Sequence, residues 1–333
     1  MNSGDDRLVS LLGRRVSLRH RIAPQDAPGP HLSDAVGELD DGGPGPDGTP
    51  TLRVRTRGGA VRVRVQDVVA VRAVPQARPR RPSWAAVEHL ERICAAAWPA
   101  PVVRELGAWR LRSGAGGFTR RANSALAVGD PGVPVPDALA EVRQFATEHG
   151  IEPVVASPQG SPWWRSVRDE GWGLAGDRGA ESIALVAGLD TLADAARPHA
   201  ITFTPEPSPQ WWAVFGETGD DPARRAIVVP DGPTLGFGEA RTGDGTLTGV
   251  VRAALVEDHL YLSRLEILPA ARRAGVASAL TAAAARWAAG LGGRYAVLQV
   301  LRSNAGARAL YEQLGYVEHH RYHYLVPGPG AVS

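Results

Sequence analysis

A single stretch, residues 262–325, constrains the fold of this chain more than any other part of its sequence. Its periodicity predicts, in order, a strand, a turn, a long helix, a strand, a short helix and a last strand. The turn after the first strand reads RRAGVA and spans residues 272–277. A helix that begins there directs several unpaired backbone N–H groups and the positive end of its dipole at one point. The pattern therefore predicts an anion site, and Gly275 would allow a phosphate to approach the backbone closely.

Composition and charge exclude several other classes of protein. The 333 residues, 44% of them hydrophobic and 22% charged, are enough for two or three ordinary globular domains. A single cysteine, Cys94, excludes a disulfide framework, and its place in an amphipathic helical pattern predicts a buried thiol. No segment is long and apolar enough to span a bilayer, and the polar N-terminus is unlike a signal peptide. We therefore expect a cytoplasmic protein without a membrane partner.

The basic residues do not indicate nucleic-acid binding. The formal net charge is only +2, which is too close to neutral to suggest a polyanionic partner for the whole chain. All 37 basic residues are arginine, and the sequence contains no lysine.

Residues 1–76 predict a small all-β domain. Alternating runs at residues 15–20, 32–39, 52–57, 61–65 and 68–74 predict five strands, and the Pro-, Gly- and Asp-rich segment 23–50 predicts a mobile loop. Five strands without a helix favour an antiparallel barrel that resembles SH3-like modules. Several arginines alternate with valines and form either a solvated face or a docking face for an acidic protein or nucleic acid. These arginines are Arg53, Arg55, Arg57, Arg62 and Arg64.

The order strand, helix, strand, helix, strand occurs twice in the remaining chain. In the first copy, Ser83 is placed to cap a helix over residues 84–97, further helices are predicted at 136–149 and 163–170, and strands at 151–157 and 181–186. In the second copy, strands are predicted at 225–229, 235–241, 248–257 and 260–268. The first copy has the proline-rich run 130–136 in place of the Arg/Gly turn, and prolines offer no N–H to a phosphate. The first copy is therefore either a degenerate duplicate or an unrelated α/β domain with a similar element order.

Residues 260–325 resemble the acetyl-CoA-binding core of the Gcn5-related N-acetyltransferase (GNAT) superfamily. Arg272, Gly275 and Ala277 match its signature of Arg or Gln, two residues, Gly, one residue, then Gly or Ala. The context also matches, with Leu-Pro at the end of the strand before the turn, Asn304, and Tyr311 followed by Leu-Gly-Tyr. More widely, the chain resembles two-lobed bacterial members with an N-terminal SH3-like barrel. The resemblance implies an α/β (α+β) fold with a mixed central sheet and three parts: an SH3-like β-barrel at 1–76, a degenerate GNAT-like lobe at 77–195, and the acetyl-CoA-binding GNAT domain at 196–328.

The resemblance implies acetyl-CoA as co-substrate and assigns its contacts. Backbone groups of Leu265, Glu266 and Ile267 would pair with pantetheine as an added strand would. Asn304 would contact coenzyme A or serve only as a helix N-cap. Tyr311 would protonate the leaving thiolate, since a phenol and a thiol have similar pKa values, or would be a core aromatic residue. The pyrophosphate would lie on the turn amides of Arg272, Arg273, Ala274, Gly275, Val276 and Ala277.

The base that deprotonates the acceptor stays open at this point. The candidates are Glu266, a water held by Ser263 and Tyr261, or an imidazole from the last strand. That strand carries His319, His320 and His323, but no accompanying carboxylate or cysteine pattern supports a metal, and we expect none.

An acceptor pocket is predicted where the two lobes meet. Arg120, Arg121 and Asn123 lie on a turn of the first copy, and they would either recognise an acidic group of the acceptor or form salt bridges between lobes. His320 and Tyr322 share one face of the last strand and would also line this pocket. The resemblance implies acetyl transfer to a primary amine, small or on a protein, by direct attack in a ternary complex. The alternative function is that of a non-catalytic regulator that binds acetyl-CoA. A protein partner, if there is one, would bind through the N-terminal barrel. The sequence does not indicate an oligomeric state.

Overall fold

The computed structural model describes Leu8 and residues 11–22, 32–56, 59–74, 82–176, 181–193 and 200–328. The chain divides into two compact units, Met1–Arg80 and Arg81–Ser333. The described part of the first unit is dominated by strands, whereas the second combines eight helices with one large sheet over its described residues.

Five antiparallel strands form the first unit, as the alternating runs predict. Alternation directs one side of each strand into a core around Val16, Leu18, Leu39 and Val54, which are fully buried. The strands pair in the order β4-β3-β2-β1-β5, with β1 at Arg15–Arg21, β2 at Leu32–Pro44, β3 at Pro50–Thr56, β4 at Gly59–Arg64 and β5 at Val68–Ala73.

The prediction of a loop over residues 23–50 is wrong for residues 32–44. Residues 32–44 belong to β2, because every second residue there faces the core while the backbone pairs with β1 and β3. Residues 23–31 lie outside the described residues. Among the arginines of β3 and β4, Arg55 lies 3.1 Å from Glu38 and Arg64 lies 2.7 Å from Asp67, so acidic side chains offset part of the basic charge. Arg57 lies outside the described residues.

The first lobe of the second unit, residues 82–193, contains the predicted helices. Its first helix begins after Ser83, whose hydroxyl accepts a hydrogen bond from the N–H of Ala86, as predicted. Cys94 on this helix is buried, also as predicted. The elements are α1 (Trp84–Ala97), β6 (Val102–Leu106), β7 (Trp109–Ser113), β8 (Ser124–Leu126), α2 (Val135–Glu148), β9 (Val155–Pro158), α3 (Pro162–Asp169), β10 (Trp172–Leu174), β11 (Glu181–Gly188) and α4 (Leu189–Ala193).

The second lobe, residues 200–328, also contains three strands followed by a helix, a strand, a helix and a strand, and its three successive strands are longer. The strand predicted at 225–229 is wrong, because residues 222–228 form a helix. Asp221 caps that helix by accepting hydrogen bonds from the N–H groups of Ala223 and Arg224, and Pro222 occupies its first turn. The elements are β12 (Ala200–Thr204), α5 (Pro209–Ala213), α6 (Pro222–Val228), β13 (Thr234–Arg241), β14 (Leu247–Val256), β15 (His259–Ile267), α7 (Val276–Gly290), β16 (Tyr295–Leu301), α8 (Ala305–Gln313) and β17 (Val317–Pro327).

The two lobes share one mixed sheet and exchange strands. The order along the sheet is β12-β13-β14-β15-β16-β11-β17-β9-β8-β7-β6, and β10 also pairs with β17. Strand β11 of the first lobe therefore lies between two strands of the second, while β17 of the second lobe pairs with β9 and β10 of the first. The boundary predicted at residue 195 lies outside the described residues, and strands from both sides of it belong to one sheet.

Helices cover both sides of the part of the sheet that belongs to the second lobe. On the α7 face, α4, α7 and α8 pack over residues such as Leu260, Leu262 and Leu298. On the α1 face, α1, α5 and α6 pack over residues such as Tyr261 and Val297. Because side chains alternate along a strand, neighbouring residues of β15 and β16 reach opposite faces.

Candidate active site

The strands β15 and β16 separate partway along their length and leave a wedge. They pair in parallel from His259 and Tyr295 to Leu262 and Leu298, and no further. Strand β15 nevertheless continues to Ile267, and β16 continues to Leu301. The edge of β15 that faces β16 therefore offers backbone groups that the ladder between these strands does not use.

A β-bulge lies on β15 at the start of the wedge. Val250 pairs with Glu266 and Arg252 pairs with Ser263, so two residues of β15 face one residue of β14. One of these two, Arg264, has a φ of +51°, which a residue with a side chain rarely adopts. The bulge turns the Arg264 side chain toward the α1 face, where its guanidinium lies 3.9 Å from the Phe215 ring centre and 2.9 Å from Glu217.

The turn between β15 and α7 presents the uncapped start of a long helix. Gly275 precedes α7 in the left-handed conformation, with a φ of +82°, and no side chain among the described residues caps the helix. Arg272 ties the turn to the strand, since it donates hydrogen bonds to the Ile267 carbonyl (3.1 Å) and the Glu266 carboxylate (3.2 Å). The first N–H groups of α7 are thus directed at the mouth of the wedge.

A cleft of about 910 Å³ joins the wedge to this turn and to α8. Asn304 lines it and also caps α8, because its side-chain oxygen accepts a hydrogen bond from the N–H of Ala307 at 3.0 Å. Residues that sequence analysis missed are small or apolar positions of α7 and α8, such as Ser278, Gly306 and Leu310. The predicted contact residues that line the cleft are Leu265, Glu266, Ile267, Arg272, Arg273, Gly275, Val276, Ala277 and Asn304.

Two predicted contact residues do not line this cleft. Ala274 is exposed on the turn. Tyr311 lies in the core of the α7 face, 8% exposed, with its ring centre 5.4 Å from that of Tyr316. Burial raises the pKa of Tyr311 to about 12, above that of an ordinary phenol.

Two of the predicted base candidates have other partners. The Glu266 carboxylate is half-exposed and pairs with Arg272. Ser263 is buried on the α1 face, where Arg252 donates a 3.4 Å hydrogen bond to its hydroxyl. Arg252 is itself fully buried and donates to the carbonyls of Val228 (2.7 Å) and Ala97 (2.9 Å).

A polar chain crosses the α1 face beside the end of the ladder. The Tyr261 hydroxyl accepts a hydrogen bond from Arg121 and donates one to Gln299 (3.1 Å). The Gln299 amide donates to Glu91 (3.2 Å), and Nε2 of His320 lies 2.9 Å from the same carboxylate oxygen. These side chains come from α1, the 115–122 turn, β15, β16 and β17, so both lobes contribute.

The structure brings together three of the five predicted acceptor residues. Arg121 and Tyr322 line a small pocket of about 10 Å³ beside Glu91, and His320 contacts Glu91 directly. Arg120 instead lies 3.5 Å from Glu152 and 5.8 Å from the Tyr324 ring centre. Asn123 is buried, and its side chain is hydrogen-bonded to backbone atoms of Gly114 and Thr119, so it holds the turn together.

Sequence analysis missed Glu91 and Gln299. One signal was present for Glu91, since it follows Val87 by four residues and precedes Cys94 by three and therefore falls on the buried stripe of α1. A carboxylate on such a stripe needs a partner. Gln299 carried no such signal, because a single glutamine within a strand is common.

The described residues show neither a metal site nor a membrane segment. No group of three or more His, Cys, Asp or Glu side chains in this part of the chain is arranged to hold a metal ion. None of the helices within the described ranges is long and apolar enough to cross a membrane.

A mixed sheet with a wedge between two parallel strands, opening toward the N-terminus of a long helix, is the GNAT fold. The GCN5-related N-acetyltransferase from Kribbella flavida superposes with a TM-score of 0.55 over 73% of this chain and 95% of its own, at 18% identity. Residues 85–325 match the family described as "Probable histone acetyltransferase Rv0428c C-terminal", and the chain belongs to that family. Residues 10–72 match the accompanying "Rv0428c N-terminal Sm-like domain", so the predicted SH3-like barrel matches the Sm-like class of small barrel.

Curated relatives agree with this assignment. The "Probable histone acetyltransferase Rv0428c" of Mycobacterium tuberculosis is 29% identical over 94% of this chain and 95% of its own length. The "Uncharacterized N-acetyltransferase YobR" of Bacillus subtilis is 25% identical over 72% of this chain and 98% of its own length. The predicted membership of the GNAT superfamily is confirmed, and the protein is an acyltransferase that transfers acetyl groups.

Proposed function

We propose that this protein transfers the acetyl group of acetyl-CoA to a primary amine by direct attack within a ternary complex. The observation that carries the proposal is the wedge between β15 and β16, which opens into a cleft bounded by the uncapped start of α7. A thioester with a long amide-bearing arm and a pyrophosphate needs these two features together.

The residues present fit acetyl-CoA. The unpaired edge of Leu265, Glu266 and Ile267 would pair with the amides of the pantetheine arm, as an added strand does. The first N–H groups of α7 would hold the pyrophosphate, and Gly275 would permit its close approach. Arg272 and Arg273 are exposed at the same turn and line the cleft, so their guanidinium groups would add charge-assisted hydrogen bonds.

The acid for the leaving thiolate is Tyr311 in this proposal. A tyrosine phenol is protonated at neutral pH, and Tyr311 lies on α8 directly after Leu310, which lines the cleft. A buried hydroxyl can donate a proton to sulfur where water is excluded, with the proton replaced from the amine that becomes an amide.

The acceptor is a primary amine in this proposal. Lysine side chains and protein N-termini are included because the Mycobacterium tuberculosis relative carries the name of a probable histone acetyltransferase. Small amines are the second group of candidates, and a panel that contains both separates them. The chain has no lysine, so acetylation of its own side-chain amines cannot produce a false signal.

The test is release of coenzyme A thiol from acetyl-CoA in the presence of a panel of amines and peptides. We expect thiol release that depends on the added amine, with the acetylated amine detected by mass spectrometry. A chain that binds acetyl-CoA but releases thiol with none of these amines would contradict acetyl transfer to a primary amine and favour a regulatory binding protein.

A further inference from the structure

We infer that Glu91 of α1, together with His320 of β17, accepts the proton that the acceptor amine loses before it attacks the thioester. This inference rests on the proposed function and names the base that it requires. It also gives the first lobe a role, since that lobe supplies the carboxylate.

The Glu91–His320 pair lies at the side of the wedge opposite the cleft. Gln299 is the first residue of β16 beyond the last rung of the ladder, and its side chain reaches the α1 face. There it contacts both Tyr261 and Glu91. On the α1 face, at the end of the ladder, Gln299 therefore lies between Tyr261 and the Glu91 carboxylate.

Burial makes the pair suitable for proton transfer. Glu91 is 4% exposed and His320 is 9% exposed, and their contact of 2.9 Å joins a carboxylate to an imidazole. Burying a carboxylate is costly unless it is hydrogen-bonded, and an apolar residue at this position of α1 would avoid the cost. The small polar pocket beside Glu91, about 10 Å³ in volume, is close to the space that one water or one amine nitrogen occupies.

A second histidine connects the pair to the surface. Nδ1 of His319 lies 2.8 Å from Nδ1 of His320, and His319 is only partly buried. Burial and the neighbouring His320 lower the pKa of His319 to about 4, so its ring is neutral at pH 7. A neutral imidazole can take a proton from His320 on one nitrogen and release it to solvent from the other.

The acceptor arrives at the site as an ammonium ion. One N–H proton passes to the Glu91–His320 pair, which becomes a carboxylate with an imidazolium. The freed lone pair forms the C–N bond to the acetyl carbon, the C–S bond breaks, and its electron pair leaves on sulfur. The second amine proton is lost as the amide forms and replaces the one that Tyr311 gives to the thiolate. One proton in total reaches solvent through His319.

Other charged and titratable groups face this pair and set its electrostatic environment. Arg121 places a cation in the lining of the same small pocket as Glu91. The remaining groups are Cys94 on α1, Arg112 on β7, Tyr261 and His259 on β15, and His319, Tyr322 and Tyr324 on β17.

The experiment compares two amines of nearly the same shape. Ethylamine is an ammonium ion at neutral pH and needs a base, whereas 2,2,2-trifluoroethylamine is already largely unprotonated. For Glu91→Gln we expect kcat/KM at pH 7 to fall about 100-fold with ethylamine and to be unchanged with 2,2,2-trifluoroethylamine. Raising the pH should restore the rate with ethylamine, while acetyl-CoA affinity stays constant.

The matched control is Glu105→Gln, which removes an exposed carboxylate on β6 whose partner is the half-buried Arg110 and should alter neither amine's rate. His320→Gln should likewise lower kcat/KM with ethylamine and leave it unchanged with 2,2,2-trifluoroethylamine. If Glu91→Gln does not fold, the two amines are compared with His320→Gln instead. Equal losses with both amines, or no loss with ethylamine, would overturn the inference. If the unaltered protein acetylates neither amine nor any of the wider panel, the proposed function fails and the inference fails with it.

Discussion

Leu262 on β15 and Leu298 on β16 form the last rung of the parallel ladder in the second lobe. Beyond this pair the strands separate, and a different group of residues lies on each side of the opening. The cleft and the start of α7 lie at one side, and the chain of Tyr261, Gln299 and Glu91 lies at the other. The end of the ladder is therefore where a thioester from one side and an amine from the other would meet.

The conformation of Gly275 predicts a selective loss of cofactor affinity. Gly275→Ala places a Cβ on a residue with a φ of +82°, which costs about 1–3 kcal/mol or shifts the first turn of α7. We expect acetyl-CoA affinity to fall at least tenfold, which corresponds to about 1.4 kcal/mol. Gly245→Ala is the control, because Gly245 has a φ of +87° with open space around it, lies in the β13–β14 turn and does not line the cleft. Equal affinities for the two variants would contradict a pyrophosphate site on this turn.

Asn304 can be tested for a role beyond capping α8. Asn304→Ser keeps a good N-cap, so the free energy of unfolding should change by less than about 0.5 kcal/mol. If the asparagine also contacts coenzyme A, calorimetric affinity should fall about fivefold, since a neutral hydrogen bond contributes about 1 kcal/mol. An unchanged affinity would leave Asn304 as a cap alone.

Tyr311 and its neighbour Tyr316 offer a matched pair for the general acid. Tyr311→Phe should lower kcat about 100-fold and leave acetyl-CoA affinity nearly unchanged. Tyr316→Phe removes a buried hydroxyl that has no hydrogen-bond partner among the described residues and should preserve both the rate and the stability. A Tyr311→Phe enzyme with a normal kcat would show that this tyrosine only packs in the core.

The neutral His319 predicts a pH dependence of stability. Its pKa in the folded protein is about 4, below the value of about 6.5 for an unfolded chain. The unfolded state therefore binds more protons between these values, and the folded state loses stability as pH falls from about 6.5 to 4. Because His319 is partly exposed, the effect is smaller than the full pKa shift implies. His319→Gln should reduce this loss of unfolding free energy by roughly 1 kcal/mol. Denaturant unfolding at pH 7 and pH 4.5 measures the difference, and identical pH slopes for both proteins would contradict it.

Local features of this fold were predictable from sequence, and long-range pairings were not. Gly275 and Asn304 act through residues within a few positions, so their turn and cap follow from local patterns. The contact between Glu91 and His320 joins residues 229 positions apart, and the alternation of a strand does not specify its partner. The exchange of β11 and β17 between the lobes could not be predicted for the same reason. The apolar residues near positions 222–228 suggested a strand. The structure has a helix there, because Asp221 caps its first turn.

The most direct test of this account is a calorimetric titration of acetyl-CoA into the full chain, repeated with Gly275→Ala and Gly245→Ala. We expect one binding site per chain, with an affinity that falls at least tenfold on the first substitution and is unchanged by the second. Absence of binding by the unaltered chain, or equal weakening by both substitutions, would contradict the assignment of the cleft beside α7 as the acetyl-CoA site.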